Sequence, residues 1–311
     1  MEKTEQQQPF WWRFYRYQNE RFPFLGHGLL VGAFTFSAIS YSRICRGVEG
    51  FISLQDYAVG LFITLSLFFL LRIFDEFKDK EDDAKYRQYL PVPRGLIRLE
   101  ELKSIGWIVG FAQLCVLGWF QPQMLSLYFL VMTYLLLMGV EFFVPKWLKA
   151  RQIAYIASHM VIIPLVDLYA SGLDWLLEGA PPHSGLVLFF VVSYLNGVVL
   201  EFGRKLRAPE SEEPGVVSYT GLYGVRGGTI AWMGLLIATW VAVLAAASFA
   251  GYGWVGSLIF TALAIICLVP GFAFLRSPTP KKAKYIEYAS ALWTFTMYLG
   301  LGGIPMVLQL I

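Results

Sequence analysis

The sequence predicts an all-α protein that crosses a membrane nine times. Of its 311 residues, 57% are hydrophobic and only 15% are charged, and the mean hydropathy is +0.55. Soluble domains carry about 25% charged residues, so this composition is that of a polytopic membrane protein. Nine apolar stretches are long enough to span a bilayer as helices. The lysines and arginines lie almost entirely in alternate connecting segments, as expected for a chain that crosses repeatedly.

The connectors between the apolar stretches are of two kinds. Residues 121–123 and 251–253 form short turns, whereas 75–103 and 202–227 form long polar loops. We expect residues 28–311 to form one transmembrane domain. The predicted spans are 28–44, 54–74, 104–120, 124–144, 153–173, 185–201, 228–250, 252–275 and 286–311.

The segment before the first span, residues 1–27, is polar, and its residues 10–17 mix aromatic rings with cations. This mixture is typical of helices that lie at a membrane surface. We therefore predict a cytoplasmic interfacial segment that contacts membrane lipid, and no nucleic-acid partner.

The cations predict the orientation of the chain. Of the 25 lysines and arginines, 23 lie in or beside the N-terminal segment and the connectors that follow spans two, four, six and eight. The other connectors hold only Arg43 and Arg46. Because Lys and Arg accumulate on the cytoplasmic side, we expect the N-terminus and both long loops in the cytoplasm and the C-terminus outside. The protein is then a multi-pass protein of the cell or inner membrane.

An acidic segment follows the second predicted span and places six carboxylates within residues 75–83. Asp75, Asp79 and Asp83 recur every four residues, so on a helix they share one face. Like charges on one face repel unless a cation lies among them. Carboxylates without nearby Cys or His suit Mg²⁺. The pattern predicts a Mg²⁺ site, since a solvated acidic loop would explain the charge but not the register.

Basic residues near these acids are candidate phosphate ligands. In the first long loop they are Lys78, Arg87 and Arg94. The Pro-Val-Pro turn is expected to bring Arg94 beside the acids. The second long loop follows Glu201, an acid at the end of the sixth span. This acid could help to bind a metal, and the cations after it could bind an anion; these cations are Arg204, Lys205 and Arg207. The alternative is that such cations only neutralise acids, contact lipid headgroups or set the orientation.

Two ionisable residues lie inside the fifth predicted span. By helical rise, His159 lies about 10 Å and Asp167 about 20 Å into the membrane. They are eight residues apart, so we expect them on one face. Intramembrane ionisable groups are usually functional, and we expect the pair to orient a substrate or to accept a proton. The alternative for the histidine is a hydrogen-bonded packing role.

The acidic segment resembles the first aspartate-rich motif of the UbiA superfamily of membrane prenyltransferases, N-D-x-x-D-x-x-x-D. Asp75 stands at the Asn, Glu76 at the first Asp, Asp79 at the second and Asp83 at the third. Residues 91–96 resemble the R-P-hydrophobic-P-x-G segment that follows the motif in that family. The number of spans and the position of the two loops match as well.

The second aspartate motif of the family is altered in this chain. The family places aspartates at the end of the sixth span as D-x-x-x-D, whereas here Glu201 is followed four residues later by Lys205. No aspartate occurs after Asp174. A fixed ammonium group would then replace part of a metal cluster.

The resemblance implies a nine-helix bundle around a central cavity and a Mg²⁺-dependent enzyme that ionises an isoprenyl diphosphate. Asp75, Asp79, Asp83 and Glu201 would be catalytic, and together with Glu76 they would bind the metal. The implied substrate-binding residues are Lys78, Arg94, Arg204, Lys205, Arg207, Asn196, His159 and Asp167.

We expect prenyl transfer as the reaction of the ionised isoprenyl diphosphate, with cyclisation as the alternative. The prenyl group is transferred to a lipophilic or aromatic acceptor, or it cyclises on itself as in a terpene cyclase. A cation transporter is less expected, since only Asp167 lies deep in the membrane, whereas a transport path needs polar groups at mid-depth.

Overall fold

The computed structural model describes residues 5–213 and 215–311. This part of the chain is all-α, without a β-strand, and contains nine helical segments long and apolar enough to cross a membrane. The prediction of an all-α protein with nine spans is confirmed. The helices are α1 (Phe10–Arg21), α2 (Phe24–Arg46), α3 (Leu54–Lys78), α4 (Lys80–Tyr86), α5 (Leu99–Phe120), α6 (Leu125–Gly139), α7 (Pro145–Lys149), α8 (Gln152–His159), α9 (Ile162–Trp175), α10 (Leu186–Arg204), α11 (Tyr219–Phe249), α12 (Gly253–Arg276), α13 (Pro280–Tyr298) and α14 (Ile304–Leu310).

Two of the predicted spans are interrupted, and a proline accounts for each interruption. The fifth span divides between α8 and α9, because Pro164 has no N–H to donate to the carbonyl of Met160; the amide of Ile163 donates to that carbonyl instead. The ninth span contains a π-helical turn before Pro305. The carbonyl of Leu301, which an amide four residues later would normally reach, accepts a hydrogen bond from the Tyr252 hydroxyl.

The chain folds into two compact units, the first of which contains residues 5–32 and 53–147. Within it, α3 packs against α5 and α6. A buried chain of hydrogen bonds links the three helices. Gln113 of α5 donates to the Ser66 hydroxyl at 2.8 Å and accepts from the Tyr128 hydroxyl at 3.0 Å. These bonds satisfy polar groups that would be costly to leave unpaired in the membrane.

The second unit contains residues 33–52 and 148–311. Its centre is a set of four helices, in which α10, α11, α12 and α13 contact one another in sequence and α13 returns to α10. A buried ion network joins the last turns of α2 and α9. Asp174 lies 2.9 Å from Arg43 and 2.7 Å from Arg46, and it accepts a hydrogen bond from Ser42. The two cations outside the predicted cytoplasmic segments are therefore both engaged with an acid.

Candidate active site

The acidic segment joins the end of α3 to the short helix α4. Asp79 lies between them with φ −90° and ψ 3°, so the backbone bends at this residue. The helical hydrogen bonds nevertheless continue through the bend. The amide of Asp79 donates to the carbonyl of Asp75 at 2.9 Å, and the amide of Asp83 donates to the carbonyl of Asp79 at 2.8 Å. Each aspartate therefore lies one turn from the next.

Two of the three aspartates have cationic partners within one turn of them along the chain. Asp75 lies 3.2 Å from Lys78 and 3.7 Å from Arg72, and Asp83 lies 3.1 Å from Arg87. Among the described residues the Asp79 carboxylate makes neither a hydrogen bond nor an ion pair. Burial raises its pKa, and the charges of Asp75 and Asp83 raise it further against the opposing effect of Lys78. An unpaired acid between two others is where an added cation would stabilise the segment most.

Glu76 differs from the three aspartates. Its side chain is 1% exposed and lies 2.7 Å from Arg21 of α1 and 3.2 Å from Arg72 of α3. Two arginines thus enclose a single buried carboxylate, whereas the aspartate partners come from neighbouring turns of the same segment. Glu76 is engaged by another element of the first unit.

The loop after α4 turns back at Gly95, whose φ of +83° favours glycine. The turn directs Arg94 toward the N-terminal segment. Its guanidinium contacts Glu20 through two bonds of 2.8 Å and Glu5 through one of 2.9 Å. This interaction lowers the pKa of Glu20. The prediction that the turn brings Arg94 beside the acidic segment 75–83 is wrong, because Glu20 and Glu5 of the N-terminal segment take its guanidinium.

The oxygen donors of the acidic segment are chemically suited to Mg²⁺. Three carboxylates on successive turns are oxygen donors of the kind that Mg²⁺ prefers, and Asp79 has no competing partner. Within residues 5–213 and 215–311, no three side chains of His, Cys, Asp or Glu converge closely enough to hold a metal ion. The cations Lys78, Arg72 and Arg87 occupy the flanking acids instead. The donor atoms are of the kind that Mg²⁺ prefers, but the three carboxylates do not converge in this structure, so a bound ion would require these ion pairs to rearrange.

In the second unit, the predicted acid at the end of α10 is also neutralised. Glu201 lies 2.6 Å from Arg204 and 2.5 Å from Lys205. Arg207 instead contacts Glu213 at 3.0 Å. The i, i+4 spacing of Glu201 and Lys205 therefore produces an ion pair in place of the family's two acids.

A cleft of about 210 Å³ lies at the end of α10. Arg204 and Arg207 line it, together with Lys284 of α13 and the acids Glu213 and Glu287. Three cations and two acids give the lining a small positive balance. Two of the residues that the sequence predicted to bind phosphate thus meet at one surface of the second unit.

The predicted residues inside the spans lie in polar contacts of their own. The Asp167 carboxylate accepts hydrogen bonds from the Ser193 hydroxyl and, at 2.5 Å, from the Tyr298 hydroxyl. His159 lies on α8, and its Nδ1 is 2.9 Å from the carbonyl of Tyr155. Asn196 is 1% exposed, and neither polar atom of its amide is hydrogen-bonded among the described residues. The break between α8 and α9 means that the helical spacing used to place His159 and Asp167 on one face does not apply.

Two cations of the acidic site were not among the predicted site residues. Arg72 precedes Asp75 and Glu76 by three and four residues, so helical spacing alone would have identified it. Arg21 is 55 residues from Glu76 in the sequence, and no local pattern indicates that contact.

Comparison with known proteins identifies the fold. No protein-family model and no curated protein sequence matches the chain significantly. One similar solved structure concerns the biosynthesis of digeranylgeranylglyceryl phosphate synthase in membranes. It is 16% identical with a TM-score of 0.61, over 90% of this chain and 99% of that one. The apo structure of a UbiA homolog from Aeropyrum pernix K1 is 12% identical with a TM-score of 0.64, over 91% and 98%. The predicted UbiA-like fold is confirmed.

Proposed function

We propose that this multi-pass membrane protein is a Mg²⁺-dependent prenyltransferase that ionises an isoprenyl diphosphate within the membrane. The observation that carries the proposal is the register of Asp75, Asp79 and Asp83, which the backbone hydrogen bonds preserve through the bend, with the central carboxylate unpaired. A solvated acidic loop gives no reason for this arrangement. The UbiA-like fold supports the same proposal, since a membrane prenyltransferase is the activity that the sequence resemblance implies.

The residues of the acidic segment have distinct parts in this proposal. Asp75, Asp79 and Asp83 would hold Mg²⁺, which when bound supplies positive charge to the departing diphosphate. Lys78 lies beside Asp75 and can contact diphosphate oxygens without leaving the segment. Its ammonium group is a point charge that suits a phosphate oxygen.

At the end of α10, we propose that Arg204, Lys205 and Arg207 bind diphosphate oxygens. The supporting observation is the cleft of positive balance that Arg204 and Arg207 line with Lys284. Glu201 is the one acid at this position, and it neutralises two of these cations in the absence of a ligand. A diphosphate would compete with Glu201 for them.

The acceptor is proposed to be a lipophilic or aromatic molecule dissolved in the membrane. Asn196 supports this part, because a buried amide with an unpaired donor and an unpaired acceptor suits a hydroxyl or carbonyl group of a substrate. Asp167 is held by two hydroxyl donors and is proposed to accept a proton from the acceptor. His159 would orient the acceptor.

The decisive experiment incubates purified protein with Mg²⁺ and isoprenyl diphosphates of several chain lengths. A transferase releases diphosphate only when a prenyl acceptor is added, and release without an acceptor, with a cyclic hydrocarbon or alcohol as product, indicates the terpene cyclase. The altered second motif at Glu201 and Lys205 is the feature that favours that alternative. Absence of diphosphate release with every chain length would contradict both reactions.

A further inference from the structure

Glu76 is the most enclosed acid of the acidic segment, and its partners explain why. Arg21 approaches its Oε1 at 2.7 Å through Nε, and Arg72 approaches the same oxygen at 3.2 Å. The Glu76 side chain is 1% exposed and the Asp83 side chain 3%, but the partner of Asp83 is Arg87 of its own segment, whereas Glu76 is also held by Arg21 of another helix. The Asp75 side chain, one residue earlier, is 31% exposed. Adjacent acids in the motif therefore have opposite environments.

Arg21 is fixed by the packing of α1 and is not a mobile surface cation. It is the last residue of α1, and the next residue, Phe22, is buried against the ring of Phe69 of α3 at 5.4 Å between centroids. Phe14, about two turns further back on α1, contacts the same ring at 6.3 Å. Tyr17 is fully buried. The aromatic contacts hold α1 against α3 about two helical turns from Glu76.

Two further ion pairs connect α1 with other elements of the first unit. Arg13 contacts Glu101 of α5 through two bonds of 2.9 and 2.5 Å, and Glu20 contacts Arg94 of the loop after α4. The three ion pairs reach the end of α3, the following loop and the start of α5. Helix α1, which the sequence predicts to lie at the membrane surface, therefore also holds the acidic segment in place.

The electrostatic balance makes Glu76 unsuitable as a metal ligand. Removing one partner of a buried ion pair leaves an uncompensated charge and is strongly destabilising. A metal that took Glu76 would leave Arg21 and Arg72 facing a second cation. Asp79 offers the same chemistry with no partner to displace.

We propose that Glu76 is the anchor of the acidic segment and not a metal ligand, and that Arg21 is the positioning residue that holds the segment through it. The inference rests on the proposed function for the metal itself. It departs from what the motif resemblance implies, since Glu76 stands at the family's first aspartate. In this chain, the ligands are Asp75, Asp79 and Asp83, and α1 sets their placement.

Mn²⁺ binding to the purified full-length protein tests the assignment without relying on turnover. Mn²⁺ takes oxygen ligands as Mg²⁺ does, and bound Mn²⁺ loses its free six-line electron paramagnetic resonance signal. We expect Glu76→Gln to bind Mn²⁺ within about threefold of wild type, because the amide oxygen still accepts from Arg21. Asp79→Asn should weaken binding by more than about tenfold. Equal losses in the two variants would overturn the proposal.

Arg21 is tested as a positioning residue by rescue. Arg21→Ala should weaken Mn²⁺ binding about tenfold, as removal of an outer partner does, and Arg21→Lys should recover most of it. Arg16→Ala is the matched control, because Arg16 lies on the same helix and its pairs with Glu5 and Glu20 are long, at 3.6 and 3.5 Å. Stronger Mn²⁺ binding in Arg21→Ala would identify α1 as an inhibitory lid and contradict the proposal.

A stability measurement separates this inference from the proposed function. Glu76→Ala should lower the melting temperature in detergent far more than Asp79→Ala, and Glu76→Gln, which keeps an acceptor for Arg21, should lower it less than Glu76→Ala does. These results are expected even if the wild-type protein binds no Mn²⁺, which would remove the metal site alone. A Glu76→Ala variant as stable as wild type would contradict the anchor.

Discussion

Arg94 and Glu20 face each other through two parallel hydrogen bonds, from Nη1 to Oε2 and from Nη2 to Oε1, each 2.8 Å long. Nε of the same guanidinium donates to Glu5, and Nη1 also donates to the carbonyl of Tyr89. The fork geometry of arginine is thereby used on carboxylates. A diphosphate would bind Arg94 only by displacing one of these acids.

This competition gives the first prediction. If Arg94 binds diphosphate, Glu20→Gln should tighten the binding of farnesyl diphosphate several-fold, and Arg94→Ala should weaken it about ten- to hundredfold, in line with about 1.5–3 kcal/mol for a charged hydrogen bond. Isothermal titration calorimetry in detergent measures both. The control is Glu100→Gln, an exposed acid at the start of α5. Wild-type affinity in both variants would mean that Arg94 binds only the acids of the N-terminal segment and not the diphosphate.

The second prediction concerns the unpaired aspartate. Asp79→Asn should abolish Mg²⁺-dependent turnover while changing the free energy of unfolding by less than about 1 kcal/mol, because no partner of Asp79 is lost. Asp82→Asn, an exposed acid of the same segment, is the control and should retain activity. Diphosphate release and the melting temperature are the two measurements. Full activity of Asp79→Asn, or of wild type in excess chelator, would remove the metal from the mechanism.

The local features of the site could be predicted from the sequence. The spacing of Asp75, Asp79 and Asp83 fixes their register, and the pairing of Glu201 with Lys205 follows from i, i+4 geometry. Composition and cation distribution likewise gave the nine spans, because the bilayer imposes a length and a polarity on each. These features depend only on residues close in the sequence and on the membrane, and not on how distant helices pack.

The long-range ion pairs could not be predicted. Glu20 and Arg94 are 74 residues apart, and Arg21 and Glu76 are 55 apart, so their contact depends on how α1 packs on α3. Helical spacing already turns Glu76 by about 100° from Asp75, but only the packing of α1 determines that Arg21 is its partner. The break at Pro164 shows a second limit. A proline within an apolar stretch indicates an interruption, but not which carbonyl will receive a replacement donor.

The third prediction concerns the buried acid of α9. Tyr298→Phe removes the hydroxyl that donates to Asp167, so the carboxylate keeps only Ser193 as a donor. We expect a loss of about 1–3 kcal/mol in the free energy of unfolding, since a buried acceptor is left partly unsatisfied. Thr296→Val, a partly exposed position of α13 that does not contact Asp167, is the control. If Asp167 also accepts a proton from the acceptor, acceptor-dependent turnover falls in Tyr298→Phe while diphosphate affinity does not.

The fourth prediction concerns orientation. A reporter at residue 90 or 212 should lie in the cytoplasm and a reporter at the C-terminus outside, because 23 of the 25 lysines and arginines lie in or beside segments assigned to the cytoplasm. Cysteine accessibility or a fused phosphatase reporter measures this. A C-terminus on the same side as residue 90 would mean that one of the nine helical segments does not cross.

The last prediction concerns Lys205, whose ammonium lies 2.5 Å from Glu201. If this cation replaces part of a metal cluster, Lys205→Ala should weaken binding of an isoprenyl diphosphate by several-fold to a hundredfold, corresponding to about 1.5–3 kcal/mol for a charged hydrogen bond. Lys205→Asp would place two acids on successive turns, and its activity at elevated Mg²⁺ should exceed that of Lys205→Ala. Lys281→Ala, an exposed lysine of α13, should bind diphosphate as wild type does. Unchanged affinity in both Lys205 variants would restrict Lys205 to pairing with Glu201 and would leave Arg204 as the phosphate ligand at this position.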